Sequence, residues 1–454
     1  MHTHRFQARV AVLLIAYLLF GSSAIAQQGA KCGFDRTVRS VIQFYPVLAN
    51  NFNALTIESR ATAKTTLEGT PTVPVIFHFV LTQNQLNQIG GTEGIEQRID
   101  SQLAVLNRDF NAQNADAVNI PGAFQPLYGN AGIRFGLAHT APDGAASPGY
   151  EITVTAKNGF NIENEWGSGF GFSGAKYAAN DGADAWDTES YLNVWIINPL
   201  EFGAATNILG LAVPPWLATK EYGIDPVEKG LVIHYGAFGK RTALTDHYVS
   251  GSDLGRTLVH EVAHYFSLLH TWGDDDGKCP SNGGKDDGIG DTPPQAYSSS
   301  GCPIFPKTDG CSKAAPGIMF MNFMDYSNDK CLLMFTHGQV ARMRGTLEPG
   351  GDTYAFTQQP WLLEYPRTGN NPILNDFTVY PNPADDRVNI VFHRQPQGLQ
   401  SIFITDMLGK VVAAREFDHQ SSFYTFEMAG LYSGIYLVVL NFNDKKEVRK
   451  VMVR

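Results

Sequence analysis

The stretch from His260 to His270 reads HEVAHYFSLLH. Residues four apart share one face of a helix, so His260 and His264 aim their imidazoles at one point. Glu261 follows His260 and projects beside that point, where a proton acceptor is needed. A continuing helix would carry His270 away, so the chain must end its helix and turn after His264. Three histidines and one water make the open tetrahedral set of a catalytic zinc. The chain has 12 histidines, so HExxH alone is a modest signal, and the third histidine at this offset makes accident a poor explanation. The chemistry expected is metal-assisted hydrolysis. Zinc lowers the pKa of a water towards about 7 and Glu261 takes its proton. The resulting hydroxide is the attacking nucleophile, and Glu261 can return the proton to the leaving group.

Five cysteines divide unequally. Cys279, Cys302, Cys311 and Cys331 lie in one Asp-, Gly-, Pro- and Ser-rich segment, and Cys32 stands alone near the N-terminus. The segment has too few apolar residues to hold itself by burial, so two disulfides are expected, with three pairings open. Cys32 is left without a partner. A thiolate is a good zinc ligand and can take the open fourth position, which makes Cys32 a candidate zinc ligand in a latent form. Gly33 would let the backbone approach closely, and Asp35 is an alternative blocking ligand.

These residues need a scaffold. VPVIFHFVL at Val73 to Leu81 reads as a buried strand. Ile95, Ile99, Leu103, Leu106 and Phe110 recur at helical spacing. Ile133–Leu137, Leu192–Ile197 and Leu231–Tyr235 read as strands, and Asn207–Val213 as an edge strand stopped by Pro214-Pro215. A second long helix is expected to begin near Ser252 or Asp253 and carry the histidines. This predicts an α/β (α+β) catalytic domain over 71–350, with a twisted mixed sheet and two long helices. Arg5, Arg9, the apolar run Val10–Phe20 and Ala24-Ile25-Ala26 predict a signal peptide over 1–26. Residues 27–70 read as a propeptide outside the core, with a processing site near Arg60 or Lys64. After a linker over 351–375, residues 376–454 alternate in short apolar runs that predict a β-sandwich of about seven strands. The net charge of -10 and the lack of a basic stripe argue against nucleic acid as a partner. No stretch beyond the leader reaches the length of a membrane span.

Over about residues 72–350, and most specifically from 257 to 343, the sequence resembles the pappalysin family of metzincin zinc metalloproteases. The resemblance rests on the zinc motif continued as Leu268-Leu269-His270-Thr271-Trp272. It extends to Asp291-Thr292-Pro293-Pro294-Gln295, to Asn322-Phe323-Met324-Asp325-Tyr326, and to Cys331 with Met334-Phe335-Thr336-His337-Gly338-Gln339. It implies a metzincin-like fold and a secreted zinc endopeptidase acting on proteins or peptides. Met324 is implied as an apolar floor beneath the histidines and Tyr326 as a donor to the tetrahedral oxyanion. The implied bridges are Cys279–Cys311 and Cys302–Cys331, with calcium at Asp287, Asp291 and Thr292 as a second cofactor. Cys32 resembles the cysteine switch of metzincin zymogens. Ser267 replaces the motif glycine, where a left-handed backbone would cost about 1 kcal/mol. Lys330, close after the Met-turn, predicts acidic or neutral residues just after the scissile bond.

Residues 376–454 resemble the sorting domain of type IX secretion substrates, through Val379-Tyr380-Pro381-Asn382-Pro383-Ala384, Asp406-Met407-Leu408-Gly409-Lys410-Val411 and Leu431-Tyr432-Ser433-Gly434-Ile435-Tyr436. This implies the type IX machinery as a partner and export across the outer membrane.

Overall fold

Near-continuous apolar character over ten residues rich in Val, Ile and Phe suits a strand in a sheet covered on both faces. In the computed structural model, Thr72–Leu81 forms such a strand, β1. The structure describes residues 31–44, 69–163, 171–218, 225–241, 247–274, 277–365, 377–380, 382–392, 398–416, 423–443 and 446–454. The expected signal peptide and the processing site near Arg60 lie outside them. The chain divides into two units, 1–365 and 366–454.

In the first unit β1 pairs in parallel with β2 (Arg134–Leu137), β3 (Tyr150–Val154) and β5 (Leu192–Ile197). A small separate sheet holds β4 (Phe160–Asn161), β6 (Pro199–Glu201) and β7 (Ala204–Ala205). The main sheet continues from β5 in parallel to β9 (Gly230–His234). It ends at β8 (Gly210–Val213), which runs antiparallel to β9 and forms the edge. The sheet is therefore mixed, as a chain needs if its last strand is to offer a free edge beside the site.

Helix α1 (Phe34–Phe44) precedes the sheet, α2 (Gln83–Gln88) follows β1, and α3 (Gly91–Asp109) packs on β2. Helix α4 (Arg256–Tyr265) carries the zinc motif and packs on α3, β8 and β9. Only α3 is long. Helix α4 has ten residues and starts at Arg256, later than the sequence suggested, because Gly255 enters it in a left-handed conformation at φ 77°. Helix α5 (His337–Thr346) starts at a capping box between Thr336 and Gln339.

The second correction concerns residues 27–70. Cys32, Phe34, Val38 and Val41 are buried in the main core. The spacing of the last three is the i, i+4, i+7 stripe of an amphipathic helix. Residues 31–44 are thus seated in the fold.

A buried ion network fixes the start of α4. The Arg256 guanidinium donates to Asp109 at 3.1 Å, Asp116 at 2.9 Å and the Asp329 carbonyl at 2.8 Å. In return the Asp329 carboxylate accepts from the backbone N–H groups of Leu254 and Arg256. The active-site helix is thereby tied to α3 and to the segment after Tyr326.

The described residues of the second unit form seven strands in two antiparallel sheets. One holds β10 (Phe377–Tyr380), β11 (Arg387–Phe392) and β14 (Phe423–Glu427). The other is ordered β13 (Val411–Glu416), β12 (Leu399–Asp406), β15 (Gly434–Phe442) and β16 (Lys446–Val453). Val388, Ile390, Ile402, Ile404, Val438 and Leu440 belong to one core, the arrangement of a β-sandwich.

Candidate metal centre and active site

Helix α4 ends where the motif requires. Ser267 is left-handed at φ 69°, and the Leu268 N–H bonds back to the Ala263 carbonyl at 3.0 Å. The chain pays the Ser267 strain of about 1 kcal/mol and gains a reversal that returns His270 to the other two histidines. The same turn presents the Leu268 carbonyl to His264 Nδ1 at 2.8 Å.

All three rings are oriented from behind. His260 Nδ1 meets the Phe323 carbonyl at 2.7 Å, and His270 Nδ1 meets both Asp274 carboxylate oxygens at 2.7 and 2.8 Å. Carbonyls and carboxylates only accept, so each Nδ1 carries the proton and each Nε2 presents a lone pair. The three Nε2 atoms lie 3.0 to 3.2 Å apart. Three neutral acceptors facing one another cannot bond among themselves, so the arrangement calls for a cation. Nitrogens about 2.0–2.1 Å from a tetrahedral zinc stand roughly 3.3 Å apart, and the donor set fits that ion. Burial pushes His260 and His270 down to about 3 and holds His264 well below its usual range, which keeps all three neutral and able to ligate.

Cys32 completes the group: its Sγ and the three histidine nitrogens all lie within 4.8 Å of one another. It is the one cluster of three or more His, Cys, Asp or Glu of this kind among the described residues. The thiol donates to Glu261 Oε2 at 3.4 Å. Burial pushes the Glu261 carboxyl up to about 8, and burial with the Glu261 charge raises the thiol further. A dication between them favours the ionised form of both.

The segment 31–34 reaches this point along β8. Leu209 N–H donates to the Lys31 carbonyl at 2.6 Å and Gly33 N–H to the Gly210 carbonyl at 2.9 Å, in parallel register. Phe34 stacks on His264 with centroids 4.1 Å apart. Lys31 Nζ donates to the Ser327 carbonyl and to Asn328 Oδ1, in a pocket that Asp325 and Asp329 also line. Asp35 binds Arg39 rather than facing the histidines as a ligand. Tyr326 packs edge-on to His270 and its hydroxyl donates to the Cys32 carbonyl at 3.2 Å. Met324 is fully buried in the same core.

The motif segments away from the histidines interlock. Gln295 bridges Thr271 at 3.0 Å and Asp325 at 2.9 Å, and the Asn322 and Gln339 amides pair at 2.8 and 3.0 Å. Cys279–Cys311 and Cys302–Cys331 are bridged. The Asp287 carboxylate accepts from Thr292 Oγ1 and Ile289 N–H. Asp291 accepts from Thr336 Oγ1 and Gly338 N–H at the start of α5. Both acids are engaged by protein donors. Lys330 is exposed and absent from the lining of the pocket beside the histidines, which Asp325 and Asp329 share with Lys31 and Arg256.

Sequence reasoning missed Asp274 as the support of His270. Its spacing four residues after His270 was the available signal. Lys31 and Phe34 lie within two residues of Cys32, but nothing local says what they touch.

The family profile described as Pregnancy-associated plasma protein-A matches residues 177–348. The profile of the secretion system C-terminal sorting domain matches 378–454. An extracellular metalloprotease of Neurospora crassa is 29% identical over 337 residues, covering 72% of this chain and 94% of its own. A Tannerella forsythia promirolysin mutant is 33% identical with a TM-score of 0.61, over 75% of this chain and all (100%) of that one. Mature mirolysin of the same organism, in complex with a cleaved peptide, is 37% identical with a TM-score of 0.55, over 66% of this chain and 100% of that one. The chain belongs to the pappalysin family of metalloproteases. It is a secreted or cell-surface metalloprotease with a type IX sorting domain. No helix among the described residues is long and apolar enough to cross a membrane.

Proposed function

We propose that the chain is a zinc-dependent endopeptidase secreted as a latent precursor. The observation that carries this reading is the convergence of three Nε2 lone pairs, with Glu261 and the Cys32 thiol beside them. His260, His264 and His270 hold the zinc, which supplies Lewis acidity and favours ionisation of water. Glu261 takes the proton of the attacking water and returns it to the leaving amine. Tyr326 donates to the developing oxyanion, as its hydroxyl now donates to the Cys32 carbonyl. Extended substrate adds to the edge of β8, where the prosegment backbone now bonds. In the precursor Cys32 is the fourth zinc ligand, and removal of the prosegment opens the site. Calcium at Asp287, Asp291 and Thr292 remains part of the proposal, as a stabilising ion outside the catalytic step.

The Lys31 pocket supports a revised specificity. The family resemblance places the site for the residue after the scissile bond in this region, and a pocket lined by Asp325 and Asp329 takes Lys or Arg. The test is cleavage of a peptide library by the processed enzyme. Activity should vanish on zinc chelation and return with zinc, and cut sites should be enriched for a following Lys or Arg. Chelator-resistant cleavage would overturn the zinc assignment, and acidic residues after the cut would overturn the pocket assignment.

The sorting unit should be separable from catalysis. Its residues form their own core, so deletion of 366–454 should leave purified enzyme with near-normal kcat/KM and abolish export from the producing cell. Inactive, unfolded protein after that deletion would contradict this division.

A further inference from the structure

Among the described residues the general base has a neighbour that no motif marks. Gly210 opens β8 and is buried against α4. A Cβ built on it would lie 2.5 Å from Glu261 Cγ, 2.5 Å from Oε1 and 2.7 Å from Cδ. Those separations are far inside van der Waals contact. The encroachment reaches Cγ as well as the carboxylate tip, so a small rotation at the end of the side chain does not relieve it. Glu261 itself is fully buried, with Cys32 Sγ on its other oxygen and no hydrogen-bond partner for Oε1. The φ of Gly210 is not positive, so its backbone would accept any residue. Glycine is required here for space rather than for conformation.

We infer that Gly210 is a positioning residue for the general base: its bare Cα leaves the slot in which the Glu261 carboxylate is held back from the three histidines. The inference builds on the peptidase reading. With a side chain at 210, Glu261 would be pushed away from β8 towards the cleft that Cys32 fills in the precursor. There the carboxylate competes for the position of the attacking water or ligates the metal itself.

The experiment uses full-length precursor and processed enzyme carrying Gly210→Ala, Glu261→Ala, or both. The processed Gly210→Ala enzyme should bind one zinc and keep its KM while kcat falls by about a hundredfold, within the range of general-base loss. Its melting temperature should fall, and the double variant should melt at the temperature of Glu261→Ala alone, since truncation of Glu261 removes the three encroached atoms. In the Glu261→Ala background, Gly210→Ala should cost no further activity. Unchanged kcat and melting in Gly210→Ala would overturn the inference. So would a double variant that melts lower than Glu261→Ala. The thermal comparison needs no activity. An inactive wild type with the expected melting cycle would sink the peptidase reading and leave the packing relation standing.

Discussion

Glu261→Ala should leave zinc bound at one ion per chain and reduce turnover by about 10²–10⁴-fold, the usual share of general-base catalysis. The three ligands keep their supports in the Phe323 carbonyl, the Leu268 carbonyl and Asp274, none of which involves Glu261. Metal content is therefore expected to match wild type. Stability should not suffer either. The carboxylate is fully buried, burial pushes it up to about 8, and Oε1 is unpartnered, so a buried ionisable group is removed at little loss. Zinc analysis, a thermal melt and casein turnover on one preparation separate these effects. A variant with near-normal turnover would refute Glu261 as the base, and one without zinc would make it a structural residue.

The second large effect concerns latency. Cys32→Ala precursor should show measurable proteolysis before processing, or process itself markedly faster than wild type. The thiol is the prosegment atom placed among the three histidine nitrogens, and its loss frees that position. Each 1.4 kcal/mol of lost contact raises the population with an open cleft about tenfold. Release will be partial. Phe34 still stacks on His264, two backbone hydrogen bonds still join the prosegment to β8, and Lys31 still fills its pocket. Lys31→Glu added to Cys32→Ala sets like charges beside Asp325 and Asp329 and should open the cleft further. Uncleaved Cys32→Ala protein as inert as the wild-type precursor would show that latency resides elsewhere in the prosegment.

What the sequence made legible follows from the distance over which each signal acts. HEVAHYFSLLH is local: helix periodicity alone brings His260, His264 and Glu261 together, and the demand for a turn before His270 follows from the same geometry. The strands Leu192–Ile197 and Gly230–His234 were visible because strands buried on both faces are continuous apolar runs. The placement of Lys31 and Gly210 was not visible. Lys31 meets Asn328 across 297 residues, and the need for glycine at 210 exists only because α4 crosses beneath β8. Helix α1 was overlooked although its stripe of Phe34, Val38 and Val41 is regular, since polar neighbours and a position just after the leader favoured an unpacked segment. The weight given to Lys330 rested on a signal of the same short range. Proximity in sequence to the Met-turn says which loop a residue follows, but not which way its side chain points.

The parallel register of Lys31 to Gly33 along β8 fixes how the precursor's own peptide is read. In the prosegment, the residue in the acidic pocket comes one position before the residue at the histidines. In a substrate cut before Lys or Arg, the residue in that pocket comes after the carbonyl under attack. The two chains must therefore cross the cleft in opposite senses. A prosegment threaded backwards offers side chains that fit and amides that face the wrong way, so it can occupy the site without being consumed. A short peptide keeping the order Lys-Cys-Gly-Phe would be a durable inhibitor by the same logic. Its reversed sequence would direct the anchors along the path of something to be cut.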